Sequence, residues 1–232
     1  MFTSFDNSFD YSKLCIFLNF NYNIVREQAP LEEKYNYQSH GFGFVLSILA
    51  FVLLLLTSNT GSYSTLFASG VYGLSLCILY FCSAKYHHTQ DPVKKLFYRK
   101  LDHISIYVLI AGTYTPYTLI FLSHSKGVLL FGIVWSIALL GTFLKLFFTG
   151  KFEVISLLLY LVMGWLIVFD FSALEQAISS RAISLLITGG GFYTIGIVFY
   201  VWNALKYNHV IWHLFVLAGS ICHFFSIYLE LI

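Results

Sequence analysis

The sequence predicts an all-α membrane protein, a bundle of seven transmembrane helices, and three observations lead to this prediction. Hydrophobic residues make up 58% of the 232 residues and charged residues only 10%, whereas soluble globular domains carry about 25% charge. Seven apolar runs approach the roughly 20 residues that a helix needs to cross a bilayer. The connections between these runs are short, so we expect one helical bundle.

The predicted spans follow one another along almost the whole chain after residue 40. They cover approximately residues 41–58, 63–86, 103–122, 127–148, 153–171, 182–204 and 209–229. Pro116 falls inside the third span and is expected to kink it. We divide the chain into an N-terminal segment, 1–38, which is cytoplasmic or interfacial, and a transmembrane domain, 39–232. The N-terminal segment lacks the basic start and the apolar length of a signal peptide.

The distribution of positive charge predicts the orientation of the bundle. Of the 13 lysines and arginines, only Lys126 and Arg181 fall on the side opposite the N-terminus. Cytoplasmic loops are enriched in lysine and arginine, so we expect the N-terminus to be cytoplasmic and the C-terminus to lie outside. The protein is then a multi-pass membrane protein, expected in the plasma membrane. The formal net charge of +2 gives no basis for nucleic-acid binding.

Polar residues that suit metal coordination gather at the cytoplasmic ends of the spans. Ser83 and His87 are four residues apart near the end of the second span, and His209 and His213 repeat this spacing at the start of the seventh. Residues four apart share one face of a helix. A lone pair of histidines at this spacing is a weak signal, but His87 and Asp102 lie at the same depth on other helices. This convergence predicts a metal site.

Three histidines leave a fourth coordination position open, which is typical of catalytic zinc. Asp102 is either a direct ligand or the base that takes a proton from a zinc-bound water, whose pKa the metal lowers to about 7; we favour the base. Ser83 is expected to donate to a substrate carbonyl or to support a ligand. Taken alone, its hydroxyl would more simply bond to the backbone of its own helix.

Other histidines receive different interpretations. Adjacent helical positions point about 100° apart, so His88 and His103 are expected to face lipid headgroups or the inner loop. His40 precedes the first span and is expected at the membrane interface. His223 lies about 15 Å deeper than His213 at 1.5 Å per residue, too far to share one ion. It is expected to bond a neighbouring helix, although a role along a substrate path stays open.

Several stretches together resemble the haemolysin III proteins, which belong to the wider progestin and adipoQ receptor family that includes the adiponectin receptors. The stretches are residues 83–87, 100–103, 111–116, 160–165 and 209–223. The resemblance covers roughly residues 31–232. It implies a seven-helix bundle with an intracellular N-terminus and a zinc ion near the cytoplasmic leaflet. By this resemblance the zinc ligands are His87, His209 and His213, Asp102 contacts the zinc-bound water, and Ser83 is the serine one turn before the first histidine.

Three functions fit these observations. The first is a zinc-dependent intramembrane hydrolase of a lipid amide, for which similarity to the adiponectin receptors implies ceramide as the type of substrate. The second is a receptor or lipid sensor with structural zinc. The third is a pore-forming haemolysin, against which the ionisable groups gather at one end and form no polar stripe across the bilayer. The sequence favours the hydrolase, with a membrane lipid as its partner.

Overall fold

The computed structural model describes residues 28–58 and 62–232, and these residues form helices and turns without any strand. Seven of the helical segments are long and apolar enough to cross a membrane, which confirms the predicted fold class. They are α1 (Pro30–Ser58), α2 (Tyr63–His88), α3 (Pro92–Phe121), α4 (Gly127–Phe148), α5 (Glu153–Ala177), α6 (Ser180–Val201) and α7 (Asn208–Tyr228). The prediction for residues 1–27 falls outside the described residues.

Helix α1 begins well before the apolar run that starts near residue 41. Pro30 occupies its first turn, where proline costs no hydrogen bond, and Glu32 and Glu33 follow in the same turn, where carboxylates interact favourably with the helix dipole. One face of the added turns is buried: Glu32, Asn36 and His40 are each at most 5% exposed. Residues 30–40 are therefore a packed part of the helical bundle.

Two of the other helices change their winding in mid-course. After Pro116, α3 continues as a π-helical turn, Tyr117–Phe121, at a point where proline removes a backbone donor. Helix α5 has a 3₁₀ turn, Leu166–Asp170. The Tyr114 hydroxyl donates to the Gly164 carbonyl at 3.0 Å and accepts from the Ile167 N–H at 2.8 Å. It thereby pairs backbone groups at the break in α5.

The helices pack unevenly, and this leaves space inside the bundle. The pairs α1 and α2, α2 and α3, and α6 and α7 pack along much of their length, whereas α5 and α6 contact each other sparsely. A cavity of about 800 Å³ lies among α2, α3, α5, α6 and α7. We call the end of the bundle that carries His87, Asp102 and His209 the histidine end.

Candidate metal centre

Three histidines from two helices meet at the histidine end of the cavity. His87, His209 and His213 each offer one ring nitrogen, and these nitrogens lie within 4.8 Å of one another. The ring centroids are 5.1 Å apart for His87 and His209, 4.9 Å for His87 and His213, and 4.6 Å for His209 and His213. No other group of this kind is found in residues 28–58 and 62–232. Such a cluster can hold one metal ion.

Local structure places the two histidines of α7. Tyr207 adopts a left-handed backbone conformation, with φ of 57°, immediately before the helix. The buried side chain of Asn208 donates to the carbonyls of Phe199 and Tyr200 at 3.1 and 3.3 Å. These carbonyls belong to the last turn of α6, whose acceptors have no partners within that helix. Asn208 therefore ties α7 to α6 and fixes the turn that carries His209.

The hydrogen bond to Glu33 determines which nitrogen of His87 is free. His87 Nδ1 lies 2.5 Å from Glu33 Oε2, and Lys95 Nζ donates to the other carboxylate oxygen at 2.6 Å. The carboxylate accepts, so Nδ1 carries the proton and Nε2 keeps a bare lone pair. His87 Nε2 is buried and has no hydrogen-bond partner among the described residues. A carboxylate behind the histidine and a free nitrogen in front are typical of metal ligands.

A serine of α1 has the same effect on His213. Ser39 Oγ donates to the Asn36 carbonyl at 3.0 Å and lies 3.2 Å from His213 Nδ1. Because the only proton of the serine hydroxyl goes to that carbonyl, its oxygen accepts from Nδ1–H. The Nε2 atom of His213 is therefore the one with a lone pair to give. The donor set, three imidazoles with Glu33 behind His87 and Ser39 behind His213, fits a bound metal ion.

His40, which the sequence placed before the first span and at the membrane interface, is buried within the bundle. The residue is inside α1, 3% exposed, and its ring stacks on that of His213 with centroids 3.5 Å apart and planes 8° from parallel. The ring of Tyr80 also packs against that of His40, with centroids 5.1 Å apart and the two planes at 87°. The early start of α1 is the reason, because it moves His40 from the helix end to the third turn. His40 thus restricts the orientation of one of the three clustered histidines.

Asp102 and Ser83 line the cavity together with His209 and His213. The carboxylate of Asp102 on α3 interacts electrostatically with His87 and Arg99. Ser83 lies beside the same carboxylate. The Ser83 hydroxyl is buried without a well-formed hydrogen bond to any described group. Four of the five residues singled out in the sequence therefore line one end of one cavity. The fifth, His87, lies beside them, with its ring against those of His209 and His213.

His103, expected to face headgroups or the inner loop, also lines this cavity, as does Gly150 of the loop between α4 and α5. Its side chain is 12% exposed, and Nδ1 lies 3.5 Å from Glu153 Oε2. Glu153 also accepts from the buried Lys145 at 2.7 Å. The cavity is wide enough to be lined by two adjacent residues of α3 despite the 100° between them. His88, by contrast, is exposed as expected.

The contact between Glu33 and His87 predicts that a residue of α1 controls metal affinity. The Glu33→Gln substitution keeps the size of the side chain but removes the charge that makes His87 a stronger ligand. We expect metal binding to weaken about 10- to 100-fold, as measured by competition with a chromophoric chelator. Glu175→Gln, which makes the same change at an exposed residue of α5 outside the cluster, serves as the control. Equal affinities for both variants would show that Glu33 has no such role.

Comparison with known proteins places the chain in a family. The family model described as "Haemolysin-III related" matches residues 29–224. The chain belongs to the haemolysin III family. Relatives include "Hemolysin-3" of Bacillus cereus, 42% identical over 201 residues that cover 86% of this chain and 92% of that protein. "Hemolysin-3 homolog" of Bacillus subtilis (strain 168) is 41% identical over 197 residues, covering 84% and 92%.

A more distant similarity extends beyond bacterial haemolysin III proteins. The human "Monocyte to macrophage differentiation factor" is 26% identical over 227 residues, covering 88% of this chain and 90% of that protein. The family match spans α1 to nearly the end of α7, so it includes every residue of the histidine cluster and the early start of α1. The resemblance drawn from the five short stretches is thereby confirmed.

Proposed function

We propose that this haemolysin III protein is a zinc-dependent hydrolase that cleaves a lipid amide within the membrane. The observation that carries the proposal is the position of the three histidines, which stand at one end of a large, mostly apolar cavity. Three imidazoles leave one position of a four-coordinate ion open, and such open sites are typical of catalytic zinc. Zinc bound there would polarise an amide carbonyl and lower the pKa of water to about 7.

The side chains beside the histidines supply the proton transfers that amide hydrolysis needs. Asp102 would take a proton on its carboxylate from the attacking water. As the water oxygen bonds to the carbonyl carbon and the C–N bond breaks, Asp102 returns that proton to the leaving amine. The products are a fatty acid and a free amine. Ser83, which lies beside that carboxylate, would donate to the substrate carbonyl or support a neighbouring group of the site.

The shape of the cavity supports a lipid as the substrate. Beyond the histidine end its walls are largely aliphatic and aromatic, from residues such as Leu109, Ile110, Leu186 and Val216. Helices α5 and α6 both line it and pack sparsely against each other, so an acyl chain has a path from the bilayer between them. Such apolar walls suit an acyl chain and would serve no purpose for a soluble substrate. The polar amide linkage of the lipid would then lie near the metal.

The direct test is release of fatty acid from ceramide by purified protein in liposomes. We expect the wild type to release fatty acid, and His209→Ala to release none above background, because it lacks one of the clustered imidazoles. His88→Ala, which alters an exposed histidine outside the cluster, is the matched control and should behave as wild type. Equal release from wild type and His209→Ala would rule out catalysis at this site.

A receptor or sensor with structural zinc is the second candidate, and one observation favours it. The histidines join α2 to α7, while Glu33 and Lys95 attach α1 and α3 to the same cluster. Metal would then hold four helices together without turning over a substrate. In that case chelation lowers the thermal stability of the protein, and no lipid amide is hydrolysed under any condition. A pore would instead release dye from liposomes, and would do so even after loss of the histidines.

We also propose that the histidine end faces the cytoplasm, in the plasma membrane. The lysines and arginines described at this end, such as Lys85, Lys94 and Arg99, outnumber those at the opposite end, where Lys126 and Arg181 lie. This asymmetry favours a cytoplasmic histidine end. Labelling of a cysteine introduced beside Arg181, in intact cells with a reagent that does not cross membranes, tests the orientation.

A further inference from the structure

The far part of the cavity contains a histidine that the proposed hydrolysis does not use. His223 lines the same cavity as His213 and is 8% exposed. The two residues are ten positions apart on α7, which corresponds to about 15 Å along the helix. Between them the cavity walls are mostly apolar. His223 is thus a polar group deep in the bundle, at a fixed distance from the metal centre.

The hydrogen bonding of His223 leaves one acceptor unused. Its Nε2 lies 3.2 Å from the carbonyl oxygen of Leu186. A carbonyl can only accept, so Nε2 carries the proton and Nδ1 keeps a bare lone pair in the neutral ring. Within the described residues, Nδ1 is buried and has no hydrogen-bond partner. Buried acceptors are normally paired, so a donor other than the described residues is expected at this atom.

Close packing against α6 fixes the direction of that acceptor. A Cβ atom added at Gly189 would lie 2.3 Å from Cδ2 and 2.6 Å from Nε2 of His223. The Cδ2–Nε2 edge therefore rests directly on the α6 backbone. Nδ1 is the ring atom opposite this edge, so it points away from α6 at Gly189. Tyr193, whose ring centroid is 5.4 Å from that of His223, also lines the cavity, and its hydroxyl lies 2.8 Å from Ser220 Oγ.

We propose that this deep part of the cavity is a subsite for a hydroxyl group on the apolar chain of the lipid, with His223 Nδ1 as the acceptor. The proposal rests on the proposed function, because it takes the scissile amide to lie at the histidine cluster. A separation of about 15 Å corresponds to roughly a dozen bonds of an extended acyl chain. The substrate class is then a long-chain lipid amide hydroxylated at that depth. An acceptor selects a hydroxyl over both a methylene and a ketone, since only the hydroxyl can donate.

The test compares three lipid amides of equal chain length with a methylene, a hydroxyl or a ketone at the same carbon, roughly a dozen from the carbonyl. Their binding to the wild type is measured by displacement of a fluorescent acyl lipid, and their hydrolysis is followed in parallel. We expect the hydroxylated lipid to bind about tenfold more tightly than the other two. Equal binding of all three, or tighter binding of the ketone, would overturn the proposal.

Variants of His223 give an independent measurement. His223→Phe should lower the affinity for the hydroxylated lipid to that of the methylene lipid, while His223→Gln, which retains an acceptor, should keep part of the preference. Cys222→Ala is the control on the neighbouring position. A hydroxyl preference that persists in His223→Phe would contradict the subsite. If no lipid is hydrolysed while the binding preference holds, the hydrolase proposal fails and the subsite stands. If lipids are hydrolysed without any binding preference, the subsite fails and the hydrolase proposal stands.

Discussion

The Asp102→Asn variant is expected to retain its metal ion and to lose about 100- to 10,000-fold in the rate of lipid amide hydrolysis. Asparagine has the shape of aspartate, so the cavity around Ser83 and the histidines should be preserved. Its amide cannot take a proton from water at neutral pH or return one to the leaving amine. The measurement is the turnover of ceramide in liposomes, together with the zinc content of the same sample.

Asp91→Asn provides the matched control for this prediction. Asp91 caps α3 by accepting from the Lys94 N–H at 2.9 Å, and asparagine caps helices about equally well. The control should therefore hydrolyse as the wild type does. A fully active Asp102→Asn variant would show that this carboxylate takes no part in proton transfer. Loss of zinc from the variant would instead assign Asp102 to coordination, the alternative considered from the sequence.

The second large effect is expected for His87→Ala, whose unfolding temperature should no longer fall when a chelator removes metal. A ligand that binds only the folded protein stabilises it by about 2.7 kcal/mol when its concentration is a hundred times its Kd. Removal of metal should lower the unfolding temperature of the wild type in detergent. His87→Ala lacks the free Nε2 and leaves Glu33 without its histidine, so its unfolding temperature should not respond to a chelator.

His88→Ala is the control here as well, because it removes an exposed imidazole from the adjacent position. It should respond to chelation as the wild type does. A chelator response that His87→Ala keeps in full would place the metal elsewhere in the protein. The comparison concerns the difference with and without chelator, so a general loss of stability in either variant does not affect it.

The sequence was sufficient to predict the seven spans because hydrocarbon imposes a simple requirement on helix length and composition. Each predicted span overlaps one of α1 to α7. The spacing of four residues also placed His209 and His213 on one face, since α-helical geometry fixes which residues adjoin. That His87 would approach this pair was predicted only from its similar depth in the membrane, and the structure brings the three rings together.

The residues behind the histidines could not be predicted by hydropathy. Glu33, Ser39 and His40 belong to the polar first turns of α1, which precede the apolar run. A signal was present, since Pro30 followed by two glutamates is typical of a helix start. Continuing that helix to His40 places Glu32, Asn36 and His40 on one face. Which helix this face would meet depends on tertiary packing. The angle of about 100° between adjacent helical positions likewise could not indicate a cavity wide enough to be lined by both Asp102 and His103.

If His87, His209 and His213 together hold one zinc ion, elemental spectrometry of the purified protein will detect it. We expect a single zinc ion per chain in the wild type and none in His213→Ala, with His88→Ala unchanged. A wild type purified with zinc present that contains no metal would show that the three histidines hold none, and a His213→Ala variant with the full wild-type content would place the ion at other residues.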